Sequence, residues 1–179
     1  QMDAFLSRDE AELPVAGRGG PEPKLAFVFT GMGPQWWGMG RQLLEKEPVF
    51  REAIEECDRV FRDIGAWSLM EVLRAEESRS RVHEADLAPA ANLAIQVALT
   101  KLWHSWGIIP DVSVGHSAGE IGAAWAAGAL SLEDAFKVAF HRGRLQDRAT
   151  GSGTMLAAGV AENEAARLIE GLTDRISIA

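Results

Sequence analysis

The sequence predicts an α/β fold, because short apolar runs with the length of strands alternate with longer segments whose apolar residues recur at helical spacing. The chain has 179 residues, of which 47% are hydrophobic and 25% charged. This length and composition are typical of one globular domain with a substantial core. The sequence contains no internal repeat or low-complexity tract that would favour another architecture.

The first two predicted elements are a linker and a strand. Residues 1–24 are polar and rich in proline and glycine, which is typical of a linker arriving from an upstream region. Residues 25–30 form a short apolar run that ends at Gly31 and Gly33. Such a run predicts a strand that is buried on both faces of a parallel sheet.

Two helices are predicted next. Pro48 suits a first helical turn, and apolar residues follow it at steps of four, three and four, so residues 48–62 are predicted to form a helix with one apolar stripe. The stripe consists of Phe50, Ile54, Cys57 and Phe61. A second helix is predicted over residues 89–106, with Trp103 and Trp106 on buried positions.

A second strand and two more helices follow. Residues 111–114 form another short strand, and residues 117–127 are a run of small residues that can pack closely on a sheet as a helix. Gly128 is placed to end that helix. Ser131, with acidic residues in the next turn, predicts the N-cap of a helix that continues to about Arg148.

The pattern changes again after Gly151 and Gly153. Residues 154–160 predict a strand, residues from about 162 to 170 a helix, and residues 175–179 the start of another strand. The α/β alternation is therefore predicted to continue through this part of the chain.

Composition argues against several function classes. The formal net charge is −8, from 26 acidic and 18 basic residues, and no dense basic block is interleaved with aromatic residues, so a nucleic-acid partner is not expected. Cys57 is the only cysteine, which excludes an internal disulfide, and no Cys/His cluster has the spacing of a metal site. The sequence shows neither a membrane span nor a secretion signal. We expect a cytoplasmic protein without a membrane partner.

A nucleophile-elbow pattern is the main chemical signal. Residues 115–119, Gly-His-Ser-Ala-Gly, fit G-x-S-x-G and lie between a predicted strand and a predicted helix. Such a turn presents Ser117 at a helix N-terminus, where unpaired N–H groups favour negative charge that develops on a substrate oxygen. The pattern alone also arises by chance in a glycine-rich sequence. Its position between strand and helix favours Ser117 as a catalytic nucleophile.

Two backbone groups are candidates for an oxyanion hole. One N–H group normally comes from the residue after the nucleophile, here Ala118, and the other from a loop that follows another strand. Residues 31–33, Gly-Met-Gly, follow the predicted strand 25–30, and glycines allow backbone to approach a ligand. A plain strand-to-helix turn explains the spacing of residues 31–33 equally well.

Several segments together resemble one protein family. Residues 27–40, Phe-Val-Phe-Thr-Gly-Met-Gly-Pro-Gln-Trp-Trp-Gly-Met-Gly, resemble the opening motif of acyltransferase domains in modular polyketide synthases and fatty acid synthases. Residues 114–121, Val-Gly-His-Ser-Ala-Gly-Glu-Ile, resemble their active-site motif. Further segments in family order are residues 103–110, 127–135 and 141–144. The resemblance, to domains of the malonyl-CoA:acyl-carrier-protein transacylase type, covers roughly residues 25–179.

The resemblance implies a fold and a domain division. The family fold is a larger α/β-hydrolase-like subdomain with a smaller ferredoxin-like subdomain inserted into it. On this pattern residues 1–24 are a linker from a ketosynthase-side region, residues 25–152 the first part of the large subdomain, and residues 153–179 the truncated start of the small one. The chain then corresponds to the N-terminal portion of such a domain.

The resemblance also implies an activity. Ser117 would accept a malonyl-type acyl group from acyl-CoA as an ester and pass it to the phosphopantetheine thiol of an acyl carrier protein. The implied partners are that carrier protein, the adjacent ketosynthase and other synthase domains. Acyl-CoA and phosphopantetheine are substrates here, and no resident cofactor or metal is implied.

Three substrate-binding roles follow from the resemblance. The backbone N–H groups of Met32 and Ala118 would form the oxyanion hole. Many family members have Gln at the position of Met32, but the donor is a backbone group and is kept. Arg142 matches the arginine that binds the free carboxylate of malonyl-type substrates, which a guanidinium can hold with two hydrogen bonds. From the residues alone, a solvated helix arginine beside Arg144 and Arg148 is the alternative.

The general base is expected elsewhere. His116 adjoins Ser117, but neighbours in a tight elbow usually point apart, so a supporting role is expected for it. Gln35 is expected to support the site from the opening motif, although a structural turn role explains it about as well. In the family the base is a histidine well downstream of the arginine, whereas His141 is the only histidine after Ser117 here. We therefore expect this chain to lack its catalytic base.

Two other functions fit part of the sequence. An α/β-hydrolase such as a thioesterase uses the same elbow but transfers the acyl group to water. That function explains Ser117 but neither Arg142 nor the motif at residues 27–40. A non-catalytic structural or docking module is the third interpretation, because a site without its base would turn over weakly.

Overall fold

The structure is a computed structural model, and it describes residues 24–179. The linker predicted over residues 1–24 therefore falls outside the described residues except for Lys24. The chain divides into two compact units, the first ending at Asp147 and the second comprising Arg148–Ala179. Within the described part of the chain, none of the helices has the combination of length and apolarity that spanning a membrane requires.

A two-stranded parallel sheet lies in the first unit. The strands are β1, Ala26–Phe29, and β2, Val112–Gly115, with Val28 opposite Val114. The helices are α1 (Arg41–Lys46), α2 (Pro48–Arg62), α3 (Leu69–Arg74), α4 (Ala88–Ser105), α5 (Gly119–Ala126) and α6 (Leu132–Ala149), with a 3₁₀ turn at Glu77–Arg79. Parallel strands need a long crossover connection, which helices α1 to α4 provide. The predicted α/β class is confirmed.

The core is built on the predicted apolar stripe of α2. The four residues of that stripe are completely buried, and they are Phe50, Ile54, Cys57 and Phe61. Helix α2 packs mainly against α4, and the Phe61 ring also contacts the rings of Trp67, Phe136 and Phe140. Full burial of a large apolar side chain contributes about 1.5–3 kcal/mol. The cluster therefore fixes α4, the helix whose Gln96 side chain contacts the residue that follows β1.

Two helix boundaries follow their predicted signals. Gly128 adopts a φ of 75° just after α5, a conformation that glycine reaches without steric cost. The Ser131 hydroxyl accepts a hydrogen bond from the Asp134 N–H at 3.0 Å and so caps α6. Both predicted helix signals are confirmed.

One face of the sheet is bare in the described residues. Val28, Val112 and Val114 are 71%, 50% and 52% exposed, whereas Phe29 on the opposite face is buried. Successive residues of a strand alternate between faces, so the exposed valines share one face. The prediction that residues 25–30 are buried on both faces is therefore wrong, because the described helices cover only the face that carries Phe29.

The end of α4 also departs from prediction. Trp103 and Trp106 were expected to be buried, but they are 42% and 55% exposed. The last buried residue of α4 is Leu102, and both tryptophans follow it. Their apolar character predicted burial, but the helices that form the core do not extend over this end of α4.

The second unit contains the helix α7, Glu162–Leu168, which the sequence predicted. The strands predicted over residues 154–160 and 175–179 do not form, so these two predictions are wrong. A strand requires hydrogen bonds to a neighbouring strand, and neither segment has one among residues 148–179. Met155 and Leu156 are accordingly almost fully exposed. The boundary at residues 152 and 153 and the two subdomain types stay predictions.

Candidate active site

The turn between β2 and α5 carries Ser117 in an unusual backbone conformation. Strand β2 ends at Gly115, α5 begins at Gly119, and Ser117 between them has a φ of 54°. Among the described residues Ser117 is the only non-glycine residue with a positive φ. An L-residue in this region costs about 1–2 kcal/mol. The predicted strand–turn–helix around Ser117 is confirmed, and it is the strained geometry expected of a nucleophile elbow.

The two glycines of the elbow have a steric reason to be there. A Cβ atom on Gly115 would lie 2.4 Å from the backbone of Glu120, and one on Gly119 would lie 2.2 Å from the carbonyl oxygen of Phe29. Neither distance is possible for a side chain. Gly115 therefore allows α5 to start close to the end of β2, and Gly119 allows the start of α5 to pack directly on the end of β1.

The opening loop, residues 30–40, lies against this elbow. A Cβ atom on Gly31 would be 2.8 Å from the His116 carbonyl oxygen and 3.1 Å from the Ser117 Cβ. The His116 N–H donates to the carbonyl oxygen of Phe29 at 3.0 Å, which ties the end of β1 to the elbow. The two sequence motifs, distant along the chain, are adjacent in space.

Two backbone N–H groups at this junction are unpaired within the described residues. They belong to Ala118, which follows Ser117 and precedes α5, and to Met32, which follows Gly31. Ala118 is 8% exposed, and buried backbone donors are normally paired. The first N–H groups of a helix lack partners within the helix and can donate to an external acceptor. The structure thus leaves both predicted oxyanion donors available to an incoming oxygen.

Arg142 on α6 contacts the nucleophile directly. Its Nη2 donates to the Ser117 Oγ at 3.0 Å, and its Nε is buried without an acceptor in the described part of the chain. Next to Arg142, a Cβ atom on Gly143 would lie 2.8 Å from the Asp86 carbonyl oxygen, so this glycine lets α6 approach that segment closely. Because of its hydrogen bond to Ser117, Arg142 is not a freely solvated arginine on the surface of α6.

No histidine takes the position of a base among the described residues. His116 is exposed, and neither its side chain nor that of His141 hydrogen-bonds to Ser117. The His141 ring instead meets the Phe140 ring edge-on at 5.4 Å. Arg142 cannot act as the base, because a guanidinium stays protonated in proteins. Within residues 24–179, Ser117 is therefore paired with a cation.

Gln35 hydrogen-bonds within the opening loop and reaches α4. Its Oε1 accepts from the Gly33 N–H at 2.7 Å and lies 3.5 Å from the Nδ2 of Asn92. The sequence predicted a supporting role for Gln35 but did not identify Asn92. The available signal was an amide side chain inside an otherwise apolar stretch of α4, where a polar group needs a partner.

The site brings together a hydroxyl, two free backbone donors and a guanidinium. Among residues 24–179, no group of three or more His, Cys, Asp or Glu side chains is arranged to hold a metal ion. Cys57 is part of the helical core, and burial raises the pKa of its thiol to about 12. Its thiol is therefore not available as a nucleophile near neutral pH.

Comparisons with known sequences point to one family. A family model described as an acyl transferase domain matches residues 26–179. The highly reducing polyketide synthase sdnO of Sordaria araneosa is 43% identical over 165 residues, which are 89% of this chain and 5% of that synthase. The chain spans only 5% to 7% of the length of the fungal polyketide synthases that it matches at similar identity.

Solved structures show the same fold. A loading acyltransferase from the avermectin modular polyketide synthase is 36% identical with a TM-score of 0.76, and the match covers 83% of this chain and 47% of that one. The MCAT from Streptococcus pneumoniae, a second structural neighbour, is 32% identical with a TM-score of 0.64, covering 72% of this chain and 40% of that one. The chain spans less than half of either solved structure.

Proposed function

The chain belongs to the acyl transferase domain family, and on this premise we propose that it helps to load a malonyl-type unit from coenzyme A onto a carrier protein in polyketide biosynthesis. The observation that carries the proposal is the hydrogen bond from Arg142 Nη2 to Ser117 Oγ. It joins a group suited to a substrate carboxylate to a hydroxyl suited to acyl transfer.

The transfer proceeds in two steps through Ser117. In the first, Ser117 Oγ attacks the thioester carbonyl carbon, an Oγ–C bond forms, the C–S bond breaks and coenzyme A leaves as the thiol. In the second, the phosphopantetheine sulfur of the carrier protein attacks the carbonyl carbon of the acyl-serine ester, a C–S bond forms and the Oγ–C bond breaks. The proton released by the thiol returns to the Ser117 oxygen through the base. Splitting the transfer in this way lets two substrates use one site in succession.

The oxyanion of each tetrahedral intermediate is held by backbone. The N–H groups of Ala118 and Met32 are unpaired in the described structure; Ala118 belongs to the elbow, and Met32 follows Gly31, which packs against it. Donors that are fixed before the reaction stabilise the developing charge without reorganising. The α5 N-terminus adds the positive end of its dipole at the same place.

Arg142 selects the acyl group. Its Nε and Nη2 lie on one edge of the guanidinium, and a carboxylate binds such an edge with two parallel hydrogen bonds. Nη2 donates to the Ser117 hydroxyl and the buried Nε has no acceptor among the described residues, so a carboxylate that displaces the hydroxyl and reaches this edge would lie beside the nucleophile. A malonyl group, with a carboxylate one carbon from its thioester carbonyl, suits this short separation.

The Ser117 proton must pass to another group. Arg142 cannot accept it, and neither His116 nor His141 contacts the hydroxyl. We assign the base to a histidine outside residues 24–179. Exposure of the 179-residue chain alone to malonyl-CoA tests this assignment by intact-protein mass spectrometry. We expect no rapid acylation, and stoichiometric labelling of Ser117 within seconds would contradict it.

The sequence relatives of this chain are large synthases. The fungal polyketide synthases that this chain matches are many times its length. We propose that the chain is part of such a polypeptide, here termed the parent synthase, and works beside a ketosynthase and a carrier protein. Acyl-CoA and phosphopantetheine are its substrates, and no resident cofactor is required.

The proposed function is tested on the parent synthase with malonyl-CoA. Peptide mass spectrometry should find the malonyl ester on Ser117 and then a malonyl thioester on the carrier protein. Ser117→Ala should abolish both products, whereas Ser113→Ala, a serine on β2 four residues away, should abolish neither. Coenzyme A release without a loaded carrier would indicate a thioesterase instead. Absence of both acyl products from the folded wild type would indicate a structural module.

A further inference from the structure

Helix α4 presents two amide side chains to the opening loop. Asn92 and Gln96 are four residues apart and therefore lie on one face of the helix, one turn from each other. Gln96 Nε2 donates to the Thr30 carbonyl oxygen at 2.8 Å, at the start of the loop. Asn92 Nδ2 lies 3.5 Å from Oε1 of Gln35, which follows Met32 in the loop. The two amides bracket the proposed oxyanion donor.

The loop segment between these two amides forms few other hydrogen bonds. Between Thr30 and Gln35 the described structure shows only one further hydrogen bond, from the Gly33 N–H to Gln35 Oε1 at 2.7 Å. Gly33 has a φ of 125°, so its backbone conformation is accessible only to glycine. Regular secondary structure does not fix this segment, so its position depends on the packing of Gly31 against the elbow and on the hydrogen bonds to the side chains of α4.

Both amides are themselves fixed. Asn92 is 9% exposed on a helix whose neighbouring residues are apolar and buried. An unpaired amide there would be costly, so its contact to Gln35 is favoured. Gln96 packs closely against α5, since a Cβ atom on Gly122 of that helix would lie 2.5 Å from the Gln96 Oε1. The same side chain thus touches the helix that follows Ser117 and the loop that carries Met32.

We propose that Asn92 and Gln96 are positioning residues that hold the Met32 N–H at the distance from the elbow that the reaction requires. This inference rests on the proposed function. Asn92 acts through Gln35 on the far half of the loop, and Gln96 acts directly on the carbonyl of Thr30. A misplacement of about 1 Å in such a site can lower the rate by about 10²-fold. Helix α4 would thus set the position of an oxyanion donor that lies on the opening loop.

The test compares acylation rate with substrate affinity in the parent synthase. Gln96→Met and Asn92→Leu remove the amide donors while keeping similar side-chain volume. Each should lower the rate of Ser117 acylation about 10- to 100-fold, below the loss of about 10²–10³ on removal of a whole oxyanion donor. Malonyl-CoA affinity, measured in the Ser117→Ala background, should stay within about threefold, because the donor acts mainly on the transition state.

Two further comparisons separate positioning from a general loss of stability. Thr100 is buried one turn further along α4, and its hydroxyl donates to the Gln96 carbonyl oxygen of the same helix. Thr100→Val removes this hydroxyl without touching the opening loop. It should keep the wild-type rate. The acylation rates with malonyl-CoA and acetyl-CoA should fall equally in Asn92→Leu and Gln96→Met, because both thioesters develop the same oxyanion.

The possible outcomes distinguish this inference from its premise. If the wild-type synthase forms no acyl-Ser117, the proposed function fails. If the wild type is acylated but both amide variants match it, or lose rate only as much as Thr100→Val does, the positioning role is wrong. A fall in the acylation rate with malonyl-CoA but not with acetyl-CoA would indicate that the variants act on Arg142. That result would also overturn the positioning role.

Discussion

Arg142 Nη2 donates a hydrogen bond to Ser117 Oγ at 3.0 Å, while the neighbouring Nε is buried and has no acceptor in the described residues. The serine hydroxyl thus occupies one of the two positions that a carboxylate takes on this edge of a guanidinium. A carboxylate is a stronger acceptor than a hydroxyl. It is expected to displace Ser117 from Arg142, which would free the Oγ lone pair for attack and keep the acyl group close.

Replacing Arg142 should therefore change substrate preference. Hydrogen bonds to charged groups contribute about 1.5–3 kcal/mol, which corresponds to about 10- to 150-fold in rate. Arg142→Ala should lower malonyl transfer in the parent synthase by about this factor and affect acetyl transfer much less. Arg142→Lys should restore little, because an ammonium cannot form the two parallel bonds.

The measurement is the rate of Ser117 acylation with malonyl-CoA and with acetyl-CoA. Arg144→Ala is the matched control, because Arg144 lies on the same helix and instead covers the Phe140 ring. It should leave the malonyl to acetyl ratio unchanged. An equal loss on both substrates in Arg142→Ala would count against carboxylate recognition.

The strain at Ser117 predicts an unusual order of stabilities. Ser117→Ala and Ser117→Gly both remove the hydroxyl and its bond to Arg142, so they differ mainly in backbone preference. Because φ is 54° at this position, Ala keeps the strain and Gly relieves it. The Gly variant of the 179-residue chain should be more stable than the Ala variant by about 0.5–1 kcal/mol. Urea denaturation measures the difference, and a less stable Gly variant would show that the elbow is unstrained.

The elbow could be predicted because its motif is local. Gly115 is required by its close contact with Glu120, and the small residues of α5 follow directly, whereas the contact of Gly119 with Phe29 joins two distant parts of the chain. The apolar stripe of α2 could be predicted in the same way, because a helical period of 3.6 residues is visible within one short stretch of sequence. These features depend on short stretches of sequence and were found there.

The remaining features depend on distant partners. Asn92 meets Gln35 across 57 positions, and the partner of a lone amide cannot be inferred from its neighbours in sequence. Residues 154–160 have the composition of a strand, but a strand exists only with a hydrogen-bonded neighbour. The position of Arg142 beside Ser117 was implied by family resemblance and not by any pattern around it. The roles assigned to Ser117 and the other site residues stay predictions.

Gly119 should tolerate no side chain. A Cβ atom there would lie 2.2 Å from the Phe29 carbonyl oxygen, which belongs to the backbone of β1 and cannot rotate away. Although alanine favours helices, Gly119→Ala should destabilise the chain by about 1–3 kcal/mol, as overpacking does. Gly153→Ala is the control, because its Cβ atom would meet nothing within 4 Å. Equal midpoints in urea for the two variants would contradict the close packing of α5 on β1.

Asp58 joins α2 to the start of α3 through two donors, Ser68 and Met70, and accepts a third hydrogen bond from Arg62 within α2. Its carboxylate accepts from the Ser68 hydroxyl at 2.8 Å, from the Met70 N–H at 3.3 Å and from Arg62 Nε at 2.9 Å, and it is 6% exposed. Asp58→Ala would leave the buried Ser68 hydroxyl and the Met70 N–H without this acceptor and should cost about 1–3 kcal/mol. Glu55→Ala, an exposed position on the same helix, should change the stability by less than about 0.5 kcal/mol. Equal urea midpoints for Asp58→Ala and wild type would show that these bonds add no stability.

Cys57 makes the stability of the chain depend on pH in the alkaline range. Burial raises the pKa of its thiol from 9.0 to about 12, so the native state keeps a proton that the unfolded state releases. The thiol therefore contributes stability that is fully present below pH 9 and is lost as pH rises from about 9 towards 12. Cys57→Ala should be less stable at pH 7, because it leaves a cavity, but should lose less stability between pH 7 and 10.

The thiol reaction rate gives an independent measure of the same burial. At pH 8 a thiol reagent should modify Cys57 quickly in urea and very slowly in the native chain, because the side chain is completely buried and protonated. Neighbouring charges have smaller effects, since Lys101 lowers the thiol pKa less than burial raises it. Rapid native modification together with an unchanged alkaline stability slope in Cys57→Ala would mean that α2 opens readily to solvent. Slow modification would instead place Cys57 inside the cooperative core that supports α4 and, through Asn92 and Gln96, the opening loop.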